Sequence, residues 1–286
     1  MSNILKISAV ILCLVIMLML LIACANPTET NQTPPVGNTG TEVETEVETE
    51  AETMALMPST DGLAFEINSD GVSYTCLGIG VCTENVIIID TYEGLPVTHI
   101  AQEAFANHKA LTGVTIGESV KDIGNSAFRG CLRLSDISLP ENIIKIGMEA
   151  FQDTKYFKSA SNWNNKSLYM NRCFIRENQS SQQCFILDGT LTIATAAFAQ
   201  CQNLESVTIP SSVTFIGGFA FMDCRNLKSV TIPNSITSMG EAPFLLCLDL
   251  TDIYFTGTEE EWNAINGITQ ANIPQTTTIH YNYQPE

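Results

Sequence analysis

The sequence predicts a repeat solenoid of about 23-residue units. Each coil should give a short strand to a parallel sheet on one side and cross the other side as a short helical or 3₁₀ turn. An N-terminal hairpin and a C-terminal helix should cap the ends. Three observations carry this. Phenylalanines fall at Phe105, Phe128, Phe151, Phe198, Phe221 and Phe244, spaced 23, 23, 47, 23 and 23. Residues 197–217 (AFAQCQNLESVTIPSSVTFIG) return at 220–240 (AFMDCRNLKSVTIPNSITSMG), with an earlier copy at 127–147. Inside each copy a V-x-I triplet alternates apolar and polar, as a strand with one buried face must. A fixed period of this length is the mark of stacked repeats, none of which can bury its apolar face alone.

The first 59 residues stand apart. Lys6 precedes 17 uncharged residues, Ile7 to Ala23, ending Leu21-Ile22-Ala23-Cys24. A basic start, an apolar core and a small residue before the break describe a secretory signal over 1–23. The run also reaches the lower limit for a membrane span, which leaves an uncleaved anchor open. The ending resembles the lipobox of bacterial lipoproteins. That resemblance implies cleavage before Cys24, a lipid on its thiol, and a membrane anchor at the extracellular face of the cell. Residues 24–59 are rich in Thr, Pro, Gly and Glu, with almost nothing apolar to bury, and read as a disordered acidic linker. Repulsion among Glu42, Glu44, Glu46, Glu48, Glu50 and Glu52 should extend it as a spacer.

The net charge is −18; from residue 60 on, 24 acidic residues face 12 basic ones, a balance of −12. Such a surface repels phosphate backbones and makes nucleic acid an unsuitable partner.

Residues 60–99 should form the N-terminal cap. Phe65 to Ile67, Val72 to Leu77 and Val86 to Ile89 have strand character around the turn signal Ser69-Asp70-Gly71. Cys76 and Cys82 could pair in an exported protein, as could Cys173 and Cys184, and the sequence leaves both questions open.

Residues 100–257 hold the repeats. One column is Ile100, Ile123, Ile146, Ile193, Ile216 and Met239; another is Leu111, Leu134, Leu204, Leu227 and Leu250, with Phe157 in the third unit. The triplets begin at Val114, Ile137, Val207, Val230 and Ile253, and Pro140, Pro210 and Pro233 end three of them. Glycine follows the column isoleucine at Gly124, Gly147 and Gly217, where close contact between coils should exclude a side chain. Cys131, Cys201, Cys224 and Cys247 share one position. Their one-coil spacing suits an interior thiol column better than metal ligands, which converge at short spacing.

These residues resemble the BspA-type leucine-rich repeats of bacterial surface proteins, over about residues 63–283. The resemblance implies a leucine-rich-repeat-like solenoid, surface exposure, adhesion to host proteins or other cells, and no shared catalytic residues.

The period breaks at 151–197, an irregular double-length unit. Half of the domain's basic residues lie around it: Lys145, Lys155, Lys158, Lys166, Arg172 and Arg176, near Trp163 and Tyr169. Residues 258–286 should form the C-terminal cap. Thr258 and Glu261 fit a capping box, starting a helix that lays Trp262 over the last coil. Ile279-His280-Tyr281 should add a final edge strand.

No nucleophile motif, metal motif or carboxylate pair stands out, so the reading is not an enzyme and needs no cofactor. His99, His108 and His280 are isolated in sequence. The outward strand positions, Gly113 and Thr115, Asp136 and Ser138, Ser206 and Thr208, Ser229 and Thr231, Asp252 and Tyr254, are mostly small and polar. Only Tyr254 is a residue type that anchors interfaces. The expected partner-binding residues are therefore Lys155, Lys158, Trp163, Lys166, Tyr169, Arg172 and Arg176, with Tyr254. The expected function is a surface-anchored module that binds a protein ligand on a host or neighbouring cell. The alternative is a structural or self-associating envelope protein.

Overall fold

The computed structural model describes residues 61–79, 83–268 and 273–285. The signal 1–23, Cys24, the linker 24–59 and Cys82 lie outside them.

β1 (Leu63–Ile67) and β2 (Tyr74–Ile79) form the expected antiparallel hairpin. Its turn is held by the Asp70 carboxylate, which accepts from the Val72 and Ser73 amides at 2.9 and 3.1 Å. The other edge of β2 pairs in parallel with β5 (Leu95–Ile100), converting a hairpin into a solenoid. β3 (Asn85–Ile88) opens a second ladder, and β4 (Thr91–Tyr92) pairs antiparallel with β5.

Each regular coil contributes two strands, and the sequence pattern shows only one of them. The V-x-I triplets are β6 (Gly113–Ile116), β8 (Asp136–Ser138), β15 (Ser206–Thr208), β17 (Ser229–Ile232) and β19 (Asp252–Phe255). The second strand spans two residues and ends on the column isoleucine or methionine: β7 (Asp122–Ile123), β9 (Lys145–Ile146), β14 (Thr192–Ile193), β16 (Phe215–Ile216) and β18 (Ser238–Met239). Two residues are too few to display alternation. Consecutive coils pair these strands in parallel, in register at the repeat. Gly113, expected to face outward, is buried: a Cβ there would meet the Asn85 side chain at 2.5 Å.

On the third side the A-F-x-x-C segment turns but does not become a helix. Two residues per coil take positive φ, four apart: Glu103 and Asn107, Ser126 and Gly130, Ala196 and Gln200, Phe219 and Asp223. A helix cannot pass through them. The reversal divides the amides into two sets. Ala197, Ala199 and Cys201 donate within the coil to Ala194, Ala196 and Phe198; Ala196, Phe198 and Gln200 donate to Gly218, Ala220 and Met222 of the next coil. Positive φ on a non-glycine residue costs on the order of 1 kcal/mol. It recurs here because it turns alternate amides onto the neighbouring coil, where buried donors need partners.

The core is built of columns. Phe105, Phe128 and Phe151 stack with centroids 5.1 and 5.4 Å apart and planes 2° apart. Cys131, Cys224 and Cys247 are fully buried and donate to Phe105, Phe198 and Phe221 carbonyls of the preceding coil at 2.9–3.0 Å. A Cβ on Gly217 would sit 2.5 Å from the Thr195 nitrogen, so the coil spacing itself demands glycine there.

The double-length unit proves to be two periods, one of them reshaped. Phe174 lies 23 residues after Phe151 and 24 before Phe198. It opens a second ring ladder, Phe174, Phe198, Phe221 and Phe244, with centroids 4.6, 4.9 and 5.3 Å apart. β12 (Cys173–Glu177) and β13 (Gln183–Phe185) are the two strands of that coil, pairing with β14 and β15. The preceding coil has no V-x-I strand. In its place come α1 (Lys155–Lys158), the 3₁₀ turn Ala160–Asn162, and β10 (Trp163–Asn164) with β11 (Ser167–Met170), a hairpin folded antiparallel onto β12. The sheet β3-β6-β8 therefore ends at β8, and β13-β15-β17-β19-β20 begins afresh at β13.

The C-terminal cap is α2 (Glu259–Ala264) and β20 (Thr278–His280). The capping box forms in both directions: the Glu261 amide donates to Thr258 Oγ1 at 3.2 Å, and the Thr258 amide to Glu261 Oε2 at 2.8 Å. Trp262 is 2% exposed and meets Phe255 edge-on. β20 extends the ladder from β19.

Candidate functional site

The hairpin owes its shape to two Asn turns. A two-residue loop, Asn165–Lys166, joins β10 to β11, and another, Asn171–Arg172, joins β11 to β12. Asn165 and Asn171 take φ of 57° and 51°, a region asparagine tolerates better than most residues. Trp163 starts the hairpin; its indole N–H donates to the Phe157 carbonyl at 2.8 Å, and its ring meets Phe157 edge-on.

A buried carboxylate binds the hairpin to the solenoid. Glu177 is 1% exposed. Its Oε1 accepts from Ser181 Oγ at 2.6 Å, and its Oε2 from Ser167 Oγ at 2.7 Å and Cys184 Sγ at 3.9 Å. One side chain thus ties β11, β12 and β13 together. Tyr169 adds a second tie. Its ring meets Phe174 edge-on at 5.1 Å, and its hydroxyl accepts from the Leu187 amide at 3.2 Å. Burial pushes the Tyr169 phenol up to about 12, so it stays protonated.

Between the hairpin and β13 lies a cleft of about 590 Å³, walled by Asn164, Asn165 and Lys166 on one side and by Gln183 and Phe185 on the other, with Tyr169 between. A second depression of about 380 Å³ adjoins it across Tyr169 and Leu187 and includes Arg172 and Asp188. Two large apolar side chains stand at the rim: Phe185 is 70% exposed and Leu187 is 47% exposed.

The structure gathers some of the expected binding residues here and disperses others. Lys166 and Tyr169 line the first cleft; Arg172 borders the second, its Nε donating to the Gly189 carbonyl. Lys155 and Lys158 lie on α1, with Lys158 paired to Asp153 at 2.9 Å. Arg176 is committed internally, its guanidinium donating to the Ala196 and Ala199 carbonyls at 2.6 and 3.3 Å. Tyr254 belongs to another place, three strands from Phe185, or roughly 14 Å along the ladder. It stacks on His280 at 4.8 Å, and His280 Nε2 lies 2.7 Å from the Asp252 carboxylate. That contact holds the Asp252 carboxyl below the usual range.

Phe185, Leu187 and Glu177 were not legible as site residues. The signal for Phe185 exists: Cys184-Phe185-Ile186 lies 23 residues before Val207-Thr208-Ile209. It places Phe185 at the head of an outward column, Phe185, Thr208, Thr231, Tyr254 and His280.

The thiols are interior groups. Cys173 and Cys184 are unpaired, buried, and on different sheets; burial pushes both up to about 12. Cys76 is also a buried thiol. Cys201 is held above the ordinary thiol range by the Cys224 thiol beside it and by burial. Among the described residues no three metal-binding side chains converge, and no helix is long and apolar enough to cross a membrane.

Coils of this length, with two parallel strands each and columns of Phe, Leu and Ile between them, define a leucine-rich-repeat solenoid. The BspA-type leucine-rich repeat model matches residues 86–183 and 170–283 in six copies. The chain belongs to that family. No curated protein matches it. Among solved structures it is similar to a leucine-rich repeat protein of T. pallidum, at 25% identity over 67% of this chain and 78% of that one, with a TM-score of 0.37. It is similar to one from Bacteroides ovatus at 18% identity over 70% and 71%, TM-score 0.37. A third is a leucine-rich cell surface protein of Faecalibacterium prausnitzii, at 17% identity over 77% and 100%, TM-score 0.28.

Proposed function

We propose that this chain is a cell-surface binding protein that holds a protein partner at the reshaped unit, and that it is anchored by a lipid on Cys24. The observation that carries the binding reading is the cleft beside β13. It combines an exposed aromatic, main-chain groups and a lysine, whereas the outward positions of β15 and β17 offer only Ser and Thr. Aromatic side chains in concave, partly desolvated places supply most interface energy; small hydroxyl residues on an open sheet do not. The acidic balance outside this unit favours protein over nucleic acid.

The test is capture from host or neighbouring-cell surface extract, comparing the intact protein with a replacement of residues 155–183 and with the point variants Phe185→Thr and Lys166→Ala. The replacement should abolish capture and the point variants should weaken it. Unchanged capture by all three overturns the reading. Capture of the protein's own copies alone would favour a self-associating envelope role. Cys24→Ala should release the protein from membranes; retention would refute the lipid anchor.

A further inference from the structure

The cleft occupies the position where the repeat omits a strand. In the regular coils, strand residues alternate in the direction their main-chain groups face. The amides of Ser206 and Ser229 donate back to the Gln182 and Glu205 carbonyls, while the Ile209 amide donates forward to the Thr231 carbonyl. Stepping back one period, Cys184 and Ile186 face β15, and the Ile186 amide does donate to the Thr208 carbonyl. Gln183 and Phe185 therefore present their N–H and C=O groups to the other side. Among the described residues no strand pairs with that edge. The next amide along, Leu187, donates to the Tyr169 hydroxyl in place of a strand. The facing edge, at β8, is approached by the hairpin unit: the Tyr156 amide donates to the Leu134 carbonyl and Asn171 Nδ2 to the Leu139 carbonyl. The β13 edge opens on the cleft.

We propose that this edge accepts an extended segment of a partner protein as an added strand, extending the ladder of β13, β15, β17 and β19. The proposal rests on the reading that partners bind at the reshaped unit, and it names the mode. An edge of about four residues, roughly 13 Å long, gives main-chain affinity. Side chains give selectivity. The segment's outward side chain falls beside Phe185, where an aromatic or β-branched residue packs best across strands. Lys166 at the hairpin tip donates to the Ser180 carbonyl at 3.1 Å, and an ammonium has further donors to offer, which suits an acidic residue at the segment's flank. The partner chemistry is thus an extended, acidic-flanked peptide alternating around one bulky outward residue.

The chain's own strand supplies the probe. Labelled peptides copying residues 204–210 (LESVTIP), and the same peptide with tyrosine in place of threonine, should bind the intact protein, the tyrosine form more tightly. N-methylation at the peptide's Val or Ile, whose amides face β13 in the repeat register, should weaken binding by ~10-fold or more; N-methylation at Ser or Thr should not. Amide exchange should slow at Gln183 and Phe185. Phe185→Pro should remove binding, and Phe185→Thr should keep it while erasing the tyrosine preference. No binding by any peptide, equal loss from both methylated sets, or protection elsewhere overturns the proposal. If the peptides fail while replacement of 155–183 still abolishes partner capture, the surface is right and strand addition is wrong.

Discussion

Residues 192–255 and residues 151–187 are built on the same period and end in opposite states. In the first, the polar main-chain groups of strands and turns are taken up within the coil or by the coils on either side, and each outward residue on β15 and β17 is Ser or Thr. In the second, one coil gives up its V-x-I strand to α1 and a hairpin, and the next coil is left with an open edge and an exposed phenylalanine. Each regular coil leaves part of its main chain to be satisfied by its neighbours. The proposed recognition site lies where a neighbour is withdrawn.

The largest test strikes the regular stack. Phe221→Ala removes a fully buried ring stacked on both sides. It should cost about 3–5 kcal/mol in denaturant unfolding, and a loss under 1 kcal/mol would mean the columns do not carry the stack. Next comes the tie that holds the hairpin within the reshaped region. Glu177→Ala leaves Ser167 and Ser181 without their acceptor and should cost about 2–4 kcal/mol. It should also abolish partner capture; a stable variant that captures normally would show that the hairpin is positioned by other contacts.

Alkaline pH should act on both regions through their thiols. Cys173, Cys184 and Cys247 are pushed up to about 12 by burial, against about 8.5 in the unfolded chain. The folded state holds these protons more tightly, so the stabilisation is complete below about pH 8.5 and is lost as pH climbs toward 12. Denaturant midpoints between pH 8 and 11 should fall, and fall less in Cys247→Ala measured from its own lower starting point. An identical decline would exclude the thiol as the cause. The smallest expected effect on stability belongs to Phe185→Thr. Its side chain is 70% exposed, so unfolding should shift by about 0.5 kcal/mol or less while partner capture drops. The reverse pattern would make Phe185 a packing residue and collapse the distinction between the two regions.

Much of the fold was legible because each regular position has one physical job. Phe, Leu and Ile columns fill the interior, glycine marks the close approach of coils, and Thr258 with Glu261 announces the final helix. The second strand was missed because two residues show no alternation. The expected helical turn fails because Ala196 and Gln200 take positive φ, a choice rewarded by the next coil rather than by local propensity. Phe174 kept the period but lost the A-F motif around it, so the reshaped coil read as one irregular unit. Most of the basic and aromatic residues expected to bind lie in the reshaped stretch, yet Arg176 turned inward to two carbonyls and Tyr254 stood three strands away.

The sequence alone determined the period, the interior columns, both caps and the stretch where the period breaks. These are set by spacing and residue type, which repeat along one chain. Tertiary structure decided what the break does. A missing strand leaves an edge only because the strands on either side remain in place, and a buried Glu177 holds a hairpin beside that edge only once Ser167, Ser181 and Cys184 have been brought around it. Those are relations between segments, and no single segment carries them.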